Sequence, residues 1–489
     1  MVQATKTEAA PTAAGGKKMI ASDSTPAGIP AELKTRYEAA GQGHVFKWVG
    51  ELGAEERAKF IEQLERVEID KLLRDFHKAK QEATKATARL QPAPLRGEDV
   101  IRAPAEGGDL GKKYWDAGIK AIKDGQVAVI TLAGGQGTRL GSAAPKGCYD
   151  IGLPSGRSLF ELQALRIRRV AKLAGAEKAI IPWYIMTSEA TDAPTRSFFA
   201  KHQYWGIPKE SVKFFKQGQL PALTEDGKLI LAAKDSLALS PNGNGGIYEA
   251  LLKEGILEEM KRAGIKAVHM YCVDNALVKV ADPAFLGGCL LKQTDCAAKS
   301  IERTDPQESV GVFCRRQSDG KLMVAEYSEL DAATASQTVP DKDGRPTDKL
   351  LLDHANIANH FFTLPFLERV AASTLPMHLA HKKIPAIGPD GKPLDKAPMG
   401  FKMEAFIFDV LEFSQNPMVY QGVRDEEFAP LKNAPGAARD APEHCRKMLL
   451  DLHQSWLKQA GKTELLGKEI EISPLDSYGG EGLESFKPK

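Results

Sequence analysis

The stretch Val127-Ala128-Val129-Ile130-Thr131-Leu132-Ala133-Gly134-Gly135-Gln136-Gly137-Thr138-Arg139-Leu140-Gly141 decides the fold. Its first half is a continuous apolar, β-branched run, which predicts a strand buried on both faces of a parallel sheet. Its second half is a glycine loop at the strand's carboxyl end, where open α/β sheets receive ligands. Glycines let the backbone approach a ligand closely, and successive N–H groups can form an anion nest. Arg139 adds a cationic fork, and Lys146 of Pro145-Lys146-Gly147 a compact charge suited to phosphate. A tight turn with solvated charges is the plainer alternative. Two familiar phosphate loops are excluded. A dinucleotide G-x-G-x-x-G starting at Gly135 would need glycine at Leu140, and no Gly-Lys-Ser/Thr follows a first glycine at Walker spacing.

Working outward, further strands are predicted at Ala179–Met186, Ala267–Val273, Ser309–Phe313 and Ile357–Phe362. Helical patterns at Lys113–Lys123, Arg157–Ala174 and Gly246–Ala263 separate most of them. This alternation predicts an α/β fold with a Rossmann-like, doubly wound mixed sheet. Asp-Gly pairs at 226, 319, 343 and 390 predict hairpins inserted between the α/β units. Apolar residues at three- and four-residue spacings between Ala31 and Leu90 predict a helical N-terminal region, and Pro442–Lys458 predicts one clear helix in a small C-terminal lobe. The expected organisation is a disordered tail over 1–28, a helical domain over 29–115, a catalytic domain over 116–410 and a C-terminal domain over 411–489.

Composition narrows the function classes. The 489 residues are 43% hydrophobic and 27% charged, which excludes a disordered chain or a fibre. A net charge of +2 gives no reason to expect nucleic-acid binding. No apolar stretch approaches the roughly 20 residues of a membrane span, and no signal core opens the chain. The six cysteines form no C-x-x-C pair and sit largely in apolar runs, so reduced, buried thiols and a cytoplasmic location are expected. His378 and His381 lack an acidic zinc partner in sequence and are expected to pack or face solvent. Phe214-Phe215 and Phe361-Phe362 are expected in the core.

Two acids end apolar runs: Asp274 after His269–Val273, and Asp409 after Phe406-Ile407-Phe408. Either could hold Mg²⁺, which takes one or two carboxylates plus phosphate oxygens, and either could instead cap a helix. Lys402 alternates with apolar neighbours and suits either a site or a plain exposed strand face.

The loop Gly134–Gly141 with Pro145-Lys146-Gly147 resembles the signature of the eukaryotic UDP-sugar pyrophosphorylase family. Pro241-Asn242-Gly243-Asn244-Gly245-Gly246-Ile247-Tyr248, Val273-Asp274-Asn275 and Gly400-Phe401-Lys402-Met403-Glu404 narrow the resemblance to its UDP-N-acetylglucosamine pyrophosphorylases. The likeness runs from about Lys34 to the C-terminus. It implies a fold of the nucleotide-diphospho-sugar transferase type. It also implies a reversible reaction joining UTP and N-acetylglucosamine 1-phosphate, with Mg²⁺, to give pyrophosphate and a precursor of chitin, glycoproteins and GPI anchors. The same reaction on N-acetylgalactosamine or glucose 1-phosphate is the nearer alternative, and a non-catalytic nucleotide-sugar sensor the more distant one. The resemblance also implies UTP contacts at Leu132, Ala133, Gly134, Gly135, Lys146, Gln217, Gly243, Asp274 and Lys402. Sugar or sugar-phosphate contacts are implied at Gly134, Asn244, Glu326, Tyr327, Asn356, Phe406, Phe408 and Lys432. Arg139, Lys146 and Lys402 would carry catalysis, and Asp274 with Asp409 the metal. A monomer or weak dimer is expected, with no nucleic-acid or membrane partner.

Overall fold

The computed structural model describes residues 28–83, 91–103, 108–175 and 181–488. Most of the expected tail, residues 84–90 of the expected helical region and residues 179–180 of an expected strand lie outside them. All six residues of Val127–Leu132 are buried. Val127 and Val129 enter one apolar core and Ala128, Ile130 and Leu132 another. Alternate side chains filling two cores place this strand inside the sheet, covered on both faces.

The strands that matter here are β1 (Pro92–Ala93), β2 (Val100–Arg102), β3 (Val127–Leu132), β4 (Trp183–Thr187), β5 (Val212–Lys216), β6 (Ala267–Cys272) and β7 (Cys296–Glu302). They continue with β8 (Val312–Arg316), β9 (Leu322–Ala325), β10 (His354–Thr363), β11 (His378–Lys383), β12 (Met399–Glu404) and β13 (Pro417–Gln421). Among the described residues the main sheet has eleven strands, with the central order β2-β13-β7-β10-β6-β3-β4-β5. β10 runs antiparallel to β6 and β7, whereas the other pairs on this path are parallel. Asp109–Lys123, Leu159–Leu173 and Pro283–Leu291 cover one face, and Ile247–Lys253, Ile256–Arg262 and Leu364–Ala371 the other. The doubly wound mixed sheet is therefore present.

Differences from the sequence reading have local causes. The pattern over Gly246–Ala263 forms two helices because Gly255, at φ +67°, ends the first and starts the second. The Asp319-Gly320 turn joins β8 to β9, and Asp343-Gly344 turns between Thr338–Pro340 and Pro346–Leu350. Asp226-Gly227 and Asp390-Gly391 close only single bridges, Leu223 to Leu229 and Ile387 to Pro393.

Two further cores join the N-terminal helices and the last long helix to segments outside the main sheet. Leu33, Tyr37, Phe60, Leu64 and Phe76 of the N-terminal helices share a core with Leu223, Leu229, Leu237 and Met403, the last on β12. Helix Pro442–Gln459 shares a core with Leu140, Leu159, Leu162 and Leu277. All six cysteines are unpaired. Among the described residues, no helix is long and apolar enough to cross a membrane.

Candidate active site

Beyond β3 the glycine loop is tied down at both ends. Ala133 N–H donates to Met186 O (2.8 Å), and Ser188 Oγ donates to Gly134 O (2.8 Å). Farther on, Gly137 N–H donates to Ala144 O (3.0 Å) and Lys146 N–H to Gly135 O (3.2 Å). These bonds fold Gly135–Lys146 back on itself, so Lys146 returns to the strand end from which the loop left. There its Nζ lies 3.2 Å from Asp274 Oδ2, beyond the parallel neighbour β6. Each side chain of this pair is about one-fifth exposed and faces a cavity of about 330 Å³.

Gln217 follows β5, and its backbone N–H donates to Thr187 O (2.9 Å). Its side-chain amide lies 3.1 Å from where a Gly134 Cβ would stand. On the opposite wall, Gly243 has φ +85°, and a Cβ there would lie 2.3 Å from Ala405 O. Gly246 is equally closed: its Cβ would lie 1.9 Å from Asn242 Oδ1. The turn is thereby pressed against the segment after β12, with Gly245 N–H donating to Ala405 O (2.8 Å) and Ile407 N–H to Asn244 Oδ1 (3.0 Å).

Nine expected residues line this first cavity: Leu132, Gly134, Gly135, Lys146, Gln217, Gly243, Asn244, Asp274 and Lys402. Ala133 is buried behind it, 1% exposed. Arg139 stands exposed on the loop and lines neither cavity.

The second cavity, about 620 Å³, takes Glu326, Tyr327, Phe406, Phe408 and Asp409, and shares the wall residue Glu404 with the first. Phe406 and Phe408 stack at 5.1 Å, and the His378 ring packs on Phe406 at 4.3 Å. His378 Nε2 lies 3.1 Å from both Asp409 oxygens, and its Nδ1 lies 3.8 Å from Glu329. Burial pulls the His378 imidazole down, but the Asp409 hydrogen bond and the surrounding carboxylates outweigh it and leave it raised. Burial, then the Glu329 charge, pushes Glu326 up to about 7 against the opposing charges of His378 and Lys432.

Asp409 corrects one expectation. It does not end a strand: it sits in the first turn of a 3₁₀ helix, Ile407–Phe413, where its Oδ2 accepts the Phe406 N–H (2.9 Å). It lines the second cavity while Asp274 lines the first. Among the described residues, no group of three or more His, Cys, Asp or Glu could hold a metal ion. Asp274 alone still fits a cation such as Mg²⁺, which takes most of its ligands from phosphates and water.

Asn356 and Lys432 line neither cavity. The Asn356 Oδ1 accepts the N–H of Ala358 (φ +51°) at a register break between β7 and β10. Lys432 Nζ lies 5.7 Å from the Phe428 ring centroid, and its charge reaches both Cys272 in the first cavity and Glu326 in the second. His378 and His381 each pair with a carboxylate and pack on a phenylalanine. Phe215, Phe361 and Phe362 are core residues, and Phe214 packs partly buried against the core.

Sequence reasoning missed Glu404, Ser188 and Glu329. Glu404 carried a signal, lying two residues from Lys402 on one strand and so on the same face. Glu329 lies three residues beyond the expected Glu326, in the same turn, and Ser188 joins the site only through folding.

A glycine loop at the end of a mid-sheet strand, a Lys–Asp pair facing a cavity and an adjoining second cavity define a nucleotidyltransferase-type fold. The chain belongs to the family described as UTP--glucose-1-phosphate uridylyltransferase, whose model matches residues 104–469. It is 42% identical to human UDP-N-acetylhexosamine pyrophosphorylase-like protein 1, over 93% of this chain and 94% of that one. It is 41% identical to UDP-N-acetylglucosamine diphosphorylase 2 of Arabidopsis thaliana, over 93% and 91%. The crystal structure of the UDP-N-acetylglucosamine pyrophosphorylase from Trypanosoma brucei with an inhibitor superposes with a TM-score of 0.80 at 30% identity, covering 94% of this chain and 95% of that one.

Proposed function

We propose that this enzyme is a UDP-N-acetylglucosamine diphosphorylase, joining UTP and N-acetylglucosamine 1-phosphate into UDP-N-acetylglucosamine and pyrophosphate. The observation that carries the reading is the pair of cavities meeting at Glu404: one with the glycine loop and the cations Lys146 and Lys402, the other with Phe406, Phe408 and Glu326. The names of relatives about 40% identical over nearly the whole chain favour the same substrates.

The sugar phosphate brings its own anionic oxygen, so no general base is needed. That oxygen attacks the α-phosphorus in line. One P–O bond forms, the bond to the β-phosphate bridge breaks, and its electron pair leaves with pyrophosphate. Gln217 and the Gly134–Gly135 backbone orient the base, and Gly243 leaves room for the ribose. Lys146 and Lys402 offset the repulsion between the two polyanions, and Arg139 meets the departing pyrophosphate. Asp274 would hold Mg²⁺, which supplies further positive charge at the phosphates. Asn244, Glu326, Tyr327 and Asn356 address the sugar hydroxyls, Phe406 and Phe408 wall the acetamido group, and Lys432 meets the sugar phosphate.

The test is pyrophosphate release from UTP and Mg²⁺ with N-acetylglucosamine, N-acetylgalactosamine and glucose 1-phosphates. Release fastest with N-acetylglucosamine 1-phosphate is expected. Preference for glucose 1-phosphate would overturn the substrate, and release with none would overturn the activity.

A further inference from the structure

Lys299, in the middle of β7, is fully buried, and its Nζ meets three carboxylate oxygens. Its Nζ lies 2.6 Å from Asp282 Oδ2 and 2.8 Å from each oxygen of Glu427. The rings of Phe285 and Tyr420 close around it at 5.4 and 5.6 Å. The other oxygen of Asp282 accepts Ala284 N–H (3.0 Å) and caps the helix Pro283–Leu291. Glu427, 4% exposed, also lies 3.7 Å from Lys279 Nζ, which Glu426 holds at 2.9 Å. Apolar side chains of similar volume often stabilise an interior as well as such a cluster does, so its distinctive contribution is a fixed geometry.

That geometry leads to the active site. The Glu427 carbonyl accepts from Asn275 Nδ2 (2.6 Å), and Asn275 Oδ1 accepts Ala429 N–H (2.9 Å). Ala276 N–H then donates to Ala429 O, and Leu431 N–H to Asp274 O, both at 2.9 Å. Residues 427–431 thus run as a clamp along Asp274–Leu277, and the next residue is Lys432. Asp274 follows a central strand and is fixed by the sheet, so the part whose place must be set is the segment carrying Lys432.

We propose that Glu427 is a positioning residue, anchored in the buried charges of Lys299 and Lys279, that sets Lys432 in register against Asp274. The proposal rests on the reading of Lys432 as a phosphate-binding lysine.

The test is a double-mutant cycle on the full-length enzyme, with hydrogen exchange as a readout that needs no turnover. Glu427→Gln is expected to lower kcat/KM for the sugar phosphate about 30-fold while moving the UTP KM less than about twofold. In a Lys432→Ala background the same change should cost less than about twofold, because its route of action is already gone. Lys279→Met, which loses only the half-buried flank of the cluster, should cost about threefold and keeps the test available if Glu427→Gln fails to fold. Faster exchange at Ala429 and Leu431, with the rest of the sheet unchanged, is expected in both cluster variants. Additive losses in the cycle, or unchanged exchange at those amides, would overturn the proposal. A wild-type enzyme inactive on UTP and N-acetylglucosamine 1-phosphate would instead overturn the functional reading, and the exchange measurement would still decide whether Glu427 holds the segment.

Discussion

The two cavities that meet at Glu404 are built in opposite ways. The first collects lysines around strand ends and a glycine loop, with one carboxylate paired at 3.2 Å to Lys146. The second collects carboxylates, Glu326, Glu329, Asp409 and Glu412, around the His378 imidazole and the Arg316 guanidinium, itself paired to Glu412, with His381 and Lys382 also on its wall. In the proposed function the lysines of the first cavity meet phosphates and the acceptors of the second meet hydroxyl groups. Neutral sugars are bound largely by hydrogen bonds, and carboxylates accept strong ones. On that proposal, affinity for charge falls to one side and selectivity to the other.

The strongest way to break that contrast is to remove the Asp274–Lys146 pair. Asp274→Ala and Lys146→Ala should each lower pyrophosphate release about 1,000-fold with any sugar phosphate, while melting temperatures stay near that of the wild type. A loss confined to one sugar would merge the two cavities into one functional unit. Arg139 tests the space outside both. The role proposed for it, meeting the departing pyrophosphate, predicts about a 100-fold fall in kcat with both KM values changed less than about twofold, measured by initial rates in each substrate.

Glu326 sharpens the comparison through pH. Its carboxyl is pushed up to about 7, so it is neutral at pH 6 and ionised at pH 8. The ionised form accepts sugar hydroxyls better, so affinity for UDP-N-acetylglucosamine in the reverse reaction should rise roughly fivefold from pH 6 to 8. Glu326→Gln should flatten that rise and leave the UTP KM of the forward reaction unchanged. The sign for stability is the opposite. A carboxyl raised from 4.5 to about 7 favours folding fully below pH 4.5, and that contribution, on the order of 3 kcal/mol, is lost as pH rises through 7. Denaturation of the free enzyme across that range, wild type against Glu326→Gln, measures it. The smallest effect belongs to Ser188. Without its hydroxyl on Gly134 O the loop loses one tether, and Ser188→Ala should raise the UTP KM about threefold without touching the sugar side.

The same contrast explains how much was legible in the sequence. Strand β3 and its loop announce themselves locally, because burial on both faces demands an unbroken apolar run and close approach demands glycine. The expected nucleotide residues therefore fall around one cavity, with Ala133 just behind it. The second cavity is assembled from β8–β9, β11 and the turn after β12, segments far apart in the chain. No periodicity links His378 to Asp409, so their meeting was invisible in pattern, whereas Glu329 follows Glu326 by three residues in one turn. Asp409 shows the local rule failing. An acid after an apolar run reads as a strand end, but it is equally the cap of the turn that follows, and the hydrogen bond to Phe406 N–H decides for the cap. Lys432 had no pattern at all; its place is set by residues 427–431, which are stitched to the segment after β6.

The turn at Gly243–Gly246 has a consequence for inherited variation. A β-carbon on Gly243 would strike a backbone oxygen at 2.3 Å, and one on Gly246 would meet the Asn242 amide at 1.9 Å. Alanine, the mildest replacement there is, already fails at both, so the genetic code offers no gentle step away from either codon. In a saturation library selected for growth on this enzyme, Gly243, Gly245 and Gly246 should all refuse replacement, a mark of crowding by neighbouring backbone and by the Asn242 amide rather than of chemistry done at those positions.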